Sequence, residues 1–304
     1  MNLPLEFISN IQNTFREDGH AFLKALPDLI AEASARWGLM DVQPAPMLSY
    51  NFVAFANQGD DKIVLKMGVP NREMRSEMAA LRLFNGEGAC RLLDYDEERC
   101  WMLLEKLNPG VTLATMEDDE EATLIAAEVM KRIWRSLDTF TFNQQEDKFI
   151  RLNDWFDGLK RLRKMFNGGT GPLDEKLVDR AESSARDFFA ENHSPVLMHG
   201  DFHHYNILSS ERGWLVIDPK GVIGPAGYEA GPFMLNPWNN ISDENRLKVQ
   251  IRRRIDILHE HLGFERERIL EWSLAHAVLS AWWGIEDNTG WEYAMGFAEM
   301  IASL

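Results

Sequence analysis

The loop sequence HGDFHHYN constrains this chain more than any other segment, because it places two oxygen-bearing side chains close to a third. Asp201 and Asn206 lie five residues apart within the loop, and Asp218 follows an apolar run at Trp214–Ile217. The turn residues of Ser209–Gly213 predict a hairpin, which returns the chain to the loop. We therefore expect the oxygens of the three side chains to converge at one point.

Three convergent oxygen ligands suit phosphoryl transfer, a reaction that depends on positioning and on neutralising charge. We interpret Asp201 as the carboxylate that accepts the proton of a substrate hydroxyl. Asn206 and Asp218 offer the hard oxygen ligands that Mg²⁺ prefers. The D-x4-N spacing matches the catalytic loop of kinases, and Asp218-Pro-Lys-Gly221 stands where protein kinases carry Asp-Phe-Gly.

The same segment carries a family resemblance. HGDFHHYNIL resembles the catalytic loop of aminoglycoside phosphotransferases, in which His-Gly-Asp replaces the His-Arg-Asp of protein kinases. The continuation IDPKGVIG and the segment Asp154-Trp-Phe156 most resemble the subfamily of streptomycin 6-kinases and hydroxyurea kinases. The resemblance spans nearly the whole chain. It implies a protein-kinase-like fold, ATP and Mg²⁺ as cofactors, and transfer of phosphate to a small-molecule hydroxyl, as in antibiotic resistance.

Apolar periodicity divides the chain into a sheet region and a helical region. Helices are predicted over 5–18 and 21–37. The elements predicted next are two short strands within Met47–Ala56, a strand over Lys62–Met67, a helix from Pro70 to Phe84, and a hairpin of Cys90–Tyr95 with Arg99–Leu104. After Asn108-Pro109-Gly110 the predicted helices cover 118–138, 153–166, 172–191, 243–262, 265–285 and 290–303.

This pattern predicts an α+β fold with two lobes. A small antiparallel-sheet lobe covers residues 1–107 and includes the preceding helices within 5–37. A larger, mainly helical lobe covers 108–304. The resemblance makes the first lobe the nucleotide-binding one, and it places the catalytic loop and the acceptor site in the second.

Lys66 ends the apolar strand Ile63-Val-Leu-Lys66, where an ammonium group is costly unless it meets anions. The resemblance makes those anions the α- and β-phosphates of ATP. It also makes Glu77, on the following helix, the ion-pair partner of Lys66. Glu73 is the rival for this role, because it lies one turn earlier on the same face of that helix.

The other nucleotide contacts come from the resemblance alone. It places the backbone of Glu105 and Leu107, where the fifth strand enters the linker, against adenine. Ser49 occupies the turn where kinases carry a glycine-rich loop, and this chain has no G-x-G-x-x-G there. The hydroxyl of Ser49 and nearby backbone amides can still donate hydrogen bonds to phosphate.

The acceptor site is expected on the side of the cleft that the helical lobe forms. Glu229 follows the catalytic hairpin closely, and Glu286 and Asp287 stand near the end of a predicted helix. Carboxylates are unfavourable at the negative end of a helix dipole, so a cationic acceptor would stabilise them. Trp282 and Trp283 offer a flat face for a sugar ring or a guanidinium, although tryptophan pairs at helical positions are commonly core residues.

Three histidines in the loop raise the question of a metal other than magnesium. His203 and His204 stand beside acidic groups, but adjacent residues make poor paired ligands for zinc and no Cys lies near them in the sequence. We therefore expect both to stabilise the loop by hydrogen bonds. His199 is expected to be a scaffold residue and not a base.

The composition narrows the possible partners. Lys and Arg number 32 against 48 Asp and Glu, a formal charge of −16. This balance argues against nucleic acid, whose binding needs a surplus of cations. It suits a cationic small ligand, but by charge alone it is better explained by solubility, since many cytoplasmic proteins are acidic. Cys90 and Cys100 are too few for a disulfide framework. The N-terminus has no basic start, and no apolar run approaches the roughly 18 residues of a membrane span, so we expect no signal peptide, no membrane partner and a cytoplasmic location.

Three other functions compete with that of an antibiotic kinase. A metabolic kinase for an amino alcohol, a sugar or a modified sugar would be separated by a panel of substrates. A pseudokinase that binds a nucleotide or a partner is disfavoured, because Lys66, Asp201, Asn206 and Asp218 are all present. A protein kinase is disfavoured because Ala-Pro-Glu is missing, and because helical signals resume soon after Gly224 and leave no room for an activation segment.

Overall fold

The computed structural model describes residues 3–137, 146–191, 194–237 and 244–304. Its strands are β1 Leu39–Pro44, β2 Phe52–Gln58, β3 Asp61–Met67, β4 Leu92–Asp96, β5 Trp101–Glu105, β6 Pro109–Thr112, β7 Arg135–Ser136, β8 Ile150–Arg151, β9 Val196–Met198, β10 Ile207–Ser210, β11 Gly213–Val216 and β12 Val222–Gly224. Its helices are α1 Leu5–Trp37, α2 Arg72–Phe84, α3 Asp119–Ile133, α4 Leu152–Met165, α5 Glu175–Ala190, α6 Ala230–Leu235, α7 Glu244–Leu262, α8 Arg266–Glu286 and α9 Glu292–Ala302. One sheet comes first and most of the helices follow it, which is the predicted α+β arrangement.

The first sheet is antiparallel, with the strand order β1-β2-β3-β5-β4. Alternation of side chains along its strands gives it two different faces. Phe52, Ala54 and Leu65 point to the outer face and are fully buried there. They pack against the apolar side of α1, which includes Leu26 and Trp37. Burial of this apolar surface, at about 25 cal/mol per Å², holds the helix on the sheet.

Two helical halves meet within α1 at Arg16, whose φ of 50° and ψ of −121° lie outside helical geometry. Beyond this kink, Gly19 approaches the first half so closely that a Cβ on it would lie 2.3 Å from the carbonyl oxygen of Ile11. The kink brings the first half of the helix to the loop between β1 and β2, where Asn10 Nδ2 donates to the carbonyl oxygen of Ser49 at 3.4 Å. The two helices that the sequence predicts are thus joined in one element.

The inner face of the sheet forms the roof of a cleft. The register of β2 and β3 pairs Val53 with Lys66 and Phe55 with Val64, so these four side chains share one face. Lys66 pairs in turn with Met102 on β5. This face is apolar around Lys66, and Phe55 remains 36% exposed on it. Asn57 and Lys62 pair further along the same face, so the roof of the cleft is apolar around Lys66 and polar near the β2–β3 turn.

The helix α2 connects the sheet with the rest of the molecule. It begins at Asn71, whose side chain accepts a hydrogen bond from the N–H of Met74 at 2.9 Å, and it ends at Asn85 in the left-handed conformation. Its apolar side, with Met74 and Met78, belongs to the same core as the helices that follow β6. Because this core is continuous, the division of the chain at residue 107 stays a prediction.

The helical part is arranged around α8, which is apolar on nearly all sides and is surrounded by α4, α5, α6, α7 and α9. Two small sheets, β11-β10-β6 and β7-β9-β12-β8, lie in the same part. Ile207 pairs with Val216 in the β10–β11 hairpin, and Met198 pairs with Val222 of β12. These pairings bring the loops that follow β9 and β11 to the same place below the cleft.

Most predicted elements are confirmed, and the first strand is wrong. It lies at Leu39–Pro44 and not within Met47–Ala56, because its pairing with β2 and not its own weak pattern defines it. The short helix α6 was not predicted. Positions 138 and 243, at the ends of two predicted helices, lie outside the described residues. Within the described ranges, no helix combines the length and apolar character needed to cross a membrane.

Candidate active site

Lys66 lies at the centre of the cleft and is only 2% exposed. Its Nζ donates to both carboxylate oxygens of Glu77, at 2.6 and 2.7 Å, and lies 3.1 Å from Asp218 Oδ1. Glu73 instead lies 3.9 Å from the ammonium of Lys220. Burial opposes the charge of Lys66, but Asp218 and Glu77 outweigh it and hold its pKa above the ordinary value. The ammonium is thus charged and positioned, as binding of phosphate oxygens requires.

Asp218 follows β11 with its backbone in the left-handed conformation, at φ 57°. Asp and Asn adopt this conformation more readily than other residues with a side chain. Burial raises the pKa of its carboxyl, but Lys66 and Lys220 outweigh that effect and hold the pKa below its usual range. The side chain is 44% exposed. An ionised carboxylate is therefore accessible from the cleft.

Gly221 joins the Asp218 loop to α2. Its φ is +66°, and a Cβ on it would lie 2.6 Å from the carbonyl oxygen of Ser76. Ser76 Oγ donates to the carbonyl oxygen of Gly221 at 2.7 Å. Because Ser76 directly precedes Glu77, this contact fixes the helix that carries Glu77 against the loop that carries Asp218. Glycine is needed here both for its conformation and for the close approach.

His199 connects the catalytic loop to Ile217, the residue that follows β11. The ring is fully buried, with Nε2 2.8 Å from the carbonyl oxygen of Ile217 and Nδ1 3.1 Å from the backbone nitrogen of Asp201. A carbonyl needs a donor and an N–H needs an acceptor, so the ring is neutral with its proton on Nε2. Burial lowers its pKa to about 4. This geometry is that of a scaffold residue and not of a base.

Asp201 presents a carboxylate to the cleft, with 40% of its side chain exposed. Its Oδ1 lies 3.5 Å from His203 Nε2. Burial raises the pKa of this carboxyl, but the neighbouring His203 and Lys220 outweigh that effect and hold the pKa well below its usual range. Asp201 is therefore ionised at neutral pH and able to accept a hydrogen bond from a hydroxyl group.

Asn206 lies between Asp201 and the segment that carries Asp218. Its Nδ2 donates to the carbonyl oxygen of Asp201 at 3.0 Å, so its Oδ1 points away from that carbonyl. Its own carbonyl oxygen accepts a hydrogen bond from Ile217, the residue before Asp218, at 2.9 Å. An amide oxygen together with an ionised carboxylate is a donor set that fits Mg²⁺. These hydrogen bonds bring the loop that carries Asp201 and Asn206 next to the segment that carries Asp218. The convergence of the three side-chain oxygens stays a prediction.

The two adjacent histidines have different surroundings. His203 Nε2 lies 3.3 Å from Asn206 Nδ2, which is the expected stabilisation of the loop. His204 is buried and stacks on Phe233, with ring centroids 4.3 Å apart and planes at 13°. Neither ring nitrogen of His204 has a hydrogen-bond partner among the described residues. The expectation of a hydrogen bond is wrong for His204, which stabilises the loop by packing.

Glu229 does not line the acceptor site. It is fully buried behind the catalytic loop, where it accepts hydrogen bonds from the backbone N–H groups of Gly200, at 2.7 Å, and His199, at 3.3 Å. The short 3₁₀ turn Ala226–Glu229 carries the side chain to this position. Burial raises its pKa to about 8. The predicted contact with the acceptor is therefore wrong, and Glu229 holds the loop that carries Asp201.

We expect Glu229→Ala to destabilise the protein, because two buried N–H groups lose their acceptor at a cost of about 1–3 kcal/mol each. The raised pKa makes this loss depend on pH. Stabilisation by Glu229 is fully present below the pKa of the unfolded chain and declines as pH rises through about 8. Chemical denaturation across this range should show a smaller difference between wild type and variant at the higher pH.

The conservative change Glu229→Gln keeps one carbonyl acceptor and should cost less than Glu229→Ala. A difference between wild type and Glu229→Ala that stays constant from about pH 5 to about pH 8.5 would contradict the raised pKa.

Glu286 and Asp287 end α8, but only one of them is open to a ligand. Arg161 of α4 binds the Glu286 carboxylate with two hydrogen bonds, at 2.8 and 3.1 Å. Asp287 is exposed and has no ion pair among the residues that the structure describes. Burial and the neighbouring charges of Glu286 and Glu73 raise its pKa. We correct the expectation accordingly: Asp287 and not Glu286 is the open carboxylate.

The other predicted nucleotide contacts lie at the end of β5, in the linker that follows it at residues 106–108, and in the loop between β1 and β2. Ser49 is exposed in that loop, and Leu107 is buried in the core. The carboxylate of Glu105 pairs with Arg212, in the turn between β10 and β11. Arg212 also donates to the carbonyl oxygen of Gly86 at 2.6 Å and so ties the linker to the segment after α2. The contacts of Ser49, Glu105 and Leu107 with a nucleotide stay predictions.

Lys220 is a cleft residue that sequence reasoning missed. Its backbone N–H donates to the carbonyl oxygen of His199 at 2.7 Å. Burial lowers the pKa of its ammonium, but Glu73 and Asp201 outweigh it and raise the pKa. A lysine two residues after Asp218 was the available signal. Its position gives the cleft a second cation beside Lys66.

These contacts define the class of the protein as a phosphotransferase with the protein-kinase-like fold. In it, a lysine of the sheet pairs with a glutamate of α2 and faces a loop with the pattern of a catalytic loop. Comparison with known proteins identifies the family. A family model described as aminoglycoside/hydroxyurea antibiotic resistance kinase matches residues 36–288. The chain belongs to this family and is a kinase.

Characterised relatives cover most of the chain. It is 30% identical to streptomycin 6-kinase of Streptomyces glaucescens over 293 residues, which is 95% of this chain and 92% of the relative. It is 29% identical to hydroxyurea phosphotransferase of Kitasatospora aureofaciens, over 89% of this chain and 76% of the relative. The predicted family and subfamily are confirmed.

Solved structures show the same fold at lower identity. Aminoglycoside phosphotransferase APH(4)-Ia, in a ternary complex with ADP and hygromycin B, matches 90% of this chain and 97% of its own, with a TM-score of 0.63 and 16% identity. Choline kinase LicA from Streptococcus pneumoniae matches 92% of this chain and 99% of its own, with a TM-score of 0.64 and 13% identity. The predicted fold class is confirmed.

Proposed function

We propose that this kinase transfers the γ-phosphoryl group of ATP to a hydroxyl of a small antibiotic-like molecule, either an aminoglycoside such as streptomycin or hydroxyurea. The observation that carries the proposal is the contact of Lys66 Nζ with both Glu77 and Asp218, which joins the sheet to the catalytic hairpin. The names of the two relatives described above indicate that they act on streptomycin and on hydroxyurea. These names support the choice of acceptor.

The nucleotide lies between the sheet and the helical part in this proposal. Val64, Phe55 and Leu104 lie on the inner, cleft-facing side of the sheet, which suits an adenine ring. The backbone of Glu105 and Leu107 would bind the edge of the base, and Ser49 with its neighbouring amides would donate to phosphate. Lys66 would bind the α- and β-phosphates, and Glu77 keeps Lys66 in place.

Asp218 and Asn206 would hold Mg²⁺, which supplies neutralisation of the charge on the phosphates. Asp201 would accept a hydrogen bond from the acceptor hydroxyl and orient it for attack in line with the leaving group. The acceptor proton would pass to Asp201 as the hydroxyl oxygen bonds to the γ-phosphorus and ADP leaves. Lys220 contributes a second positive charge beside this carboxylate. No covalent intermediate is needed.

A cationic acceptor fits the charges of the molecule. The chain carries a formal charge of −16, which attracts cations over long distances. Asp287 is the open carboxylate at the end of α8, and Glu73 on α2 lies near enough to raise its pKa. We place the reaction in the cytoplasm, because ATP is the proposed donor.

An ATP-coupled assay over streptomycin, other aminoglycosides, hydroxyurea and amino alcohols tests this function. We expect turnover that requires Mg²⁺, and a product one phosphoryl group heavier by mass spectrometry, with streptomycin or hydroxyurea. Turnover of amino alcohols or sugars alone would instead support a metabolic kinase. Binding of Mg·ATP without turnover of any acceptor would support a pseudokinase.

A further inference from the structure

Trp155 of α4 touches the catalytic loop immediately before Asp201. A Cβ on Gly200 would lie 3.1 Å from Trp155 Cη2, so the indole rests directly on the backbone of Gly200. Gly200 has a φ of +88°, which favours glycine at this close approach. The indole is only half-buried. Part of an aromatic ring is therefore accessible one residue away from the carboxylate that faces the acceptor.

A second indole extends this surface toward the end of α8. The ring centroids of Trp155 and Trp283 lie 5.4 Å apart with the planes at 83°, and Trp283 is also half-buried. Both rings are supported from the core side. Tyr228 lies 6.1 Å from Trp155, His276 lies 6.1 Å from Trp283, and the Tyr228 hydroxyl and His276 Nδ1 are 2.9 Å apart. The neighbouring Trp282 is a core residue, at 1% exposure.

One charge lies at the end of this surface. Asp287 follows Trp283 by one helical turn, and its N–H donates to the carbonyl oxygen of Trp283 at 2.9 Å. The adjacent Glu286 is neutralised by Arg161. The surface thus offers two supported indoles beside Asp201 and one carboxylate that no described cation neutralises.

We propose that Trp155 and Trp283 bind a planar guanidinium or urea group of the acceptor and so present the neighbouring hydroxyl to Asp201. Because the two indole planes are nearly perpendicular, the planar group stacks on the face of one indole and meets the other at its side. This proposal rests on the proposed function and deepens it. Streptomycin carries guanidinium groups and hydroxyurea is a urea, so both contain a flat N–C–N unit. Such a unit stacks on indole whether or not it is charged. Asp287 adds affinity only for an acceptor with a positive charge.

The contributions of the two indoles and of Asp287 to acceptor binding can be measured separately by mutation. Trp155→Leu and Trp283→Leu each remove an indole. Each should raise KM for streptomycin by about 3- to 30-fold and KM for the uncharged hydroxyurea by about 2- to 10-fold. Trp155→Phe and Trp283→Phe keep a smaller face and should recover part of the loss. Asp287→Asn should raise KM for streptomycin by about tenfold and leave KM for hydroxyurea unchanged. KM for ATP should stay at the wild-type value throughout.

Trp134→Leu is the matched control, because Trp134 is another half-buried indole and packs against Phe264, with ring centroids 5.9 Å apart. It should change neither acceptor KM. Unchanged acceptor KM in both Trp155→Leu and Trp283→Leu, or an equal rise in KM for ATP, would overturn the proposal. If the Leu variants do not fold, the Phe variants give the same comparison with smaller changes.

Turnover assays of the wild-type protein with different acceptors distinguish a wrong acceptor surface from a wrong function. Efficient turnover of an aminoglycoside that lacks guanidinium groups, with no turnover of streptomycin or hydroxyurea, would overturn the role of Trp155 and Trp283 and leave the aminoglycoside kinase in place. Turnover of amino alcohols only would overturn both. Turnover of streptomycin or hydroxyurea with the KM pattern described above would support both.

Discussion

Asp201→Asn should lower kcat by about 10²–10⁴-fold with little change in the binding of ATP, because the change keeps the shape of the side chain and removes its capacity as a base. The carboxylate is ionised, 40% exposed and held through the hydrogen bonds of His199 and Asn206 to its backbone. None of these backbone contacts involves the carboxylate itself, so the loop should keep its conformation in the variant. Steady-state kinetics at saturating acceptor, together with ATP binding by calorimetry, would measure the effect.

Asp154→Asn is the control for a loss of acidic charge near the cleft. Asp154 lies next to Trp155 and pairs with Arg72 on α2 at 3.1 Å, with both side chains about half-exposed. An exposed ion pair of this kind contributes little, so kcat should remain close to wild type. If Asp201→Asn retained more than about half of the wild-type kcat, Asp201 could not be the base.

Asp218→Ala should nearly abolish turnover and sharply raise the concentration of Mg²⁺ that half-saturates the enzyme. Asn206→Ala should act in the same direction but more mildly, because an amide oxygen contributes a dipole and no charge. Asp218 is 44% exposed and Asn206 is oriented by its bond to the Asp201 carbonyl. Titration of activity with Mg²⁺ at fixed ATP would measure both effects.

The backbone of Asp218 calls for a second variant. At φ 57° an alanine is strained, whereas asparagine adopts this conformation readily. Asp218→Asn therefore removes the charge without the strain, and it should show the same shift of the Mg²⁺ requirement with a smaller loss of thermal stability. Magnesium titrations that match wild type in Asn206→Ala and Asp218→Asn would disprove the assignment of these ligands.

The local sequence pattern was sufficient to predict the elements that carry the proposed catalytic residues. The turn at Ser209–Gly213 and the apolar runs beside it predicted the β10–β11 hairpin, which the structure confirms. The Asn-Gly pair after Phe84 predicted the end of α2, and Asn85 is indeed left-handed. Such signals work because the conformations of turns and caps depend on the residues that occupy them.

Pairing between distant segments explains the errors of the sequence prediction. β1 was misplaced because, within it, only Leu39 is buried, and its pairing with β2 defines it as a strand. Glu286 was expected to be open, but Arg161, 125 residues earlier in the chain, neutralises it. Neither relation leaves a local signal that could have been found without the fold.

The sequence by itself determined the fold class, the family and the order in which Lys66, Asp201 and Asp218 occur, because these depend on short motifs and on periodicity. The tertiary structure alone decided the orientation of side chains about the cleft. It placed Glu229 behind the loop as a support, where proximity in sequence had suggested an acceptor contact. It also placed Trp155 against Gly200, although 45 residues separate the two in the chain. Burial and side-chain direction arise from the packing of all elements together, and no segment encodes them alone.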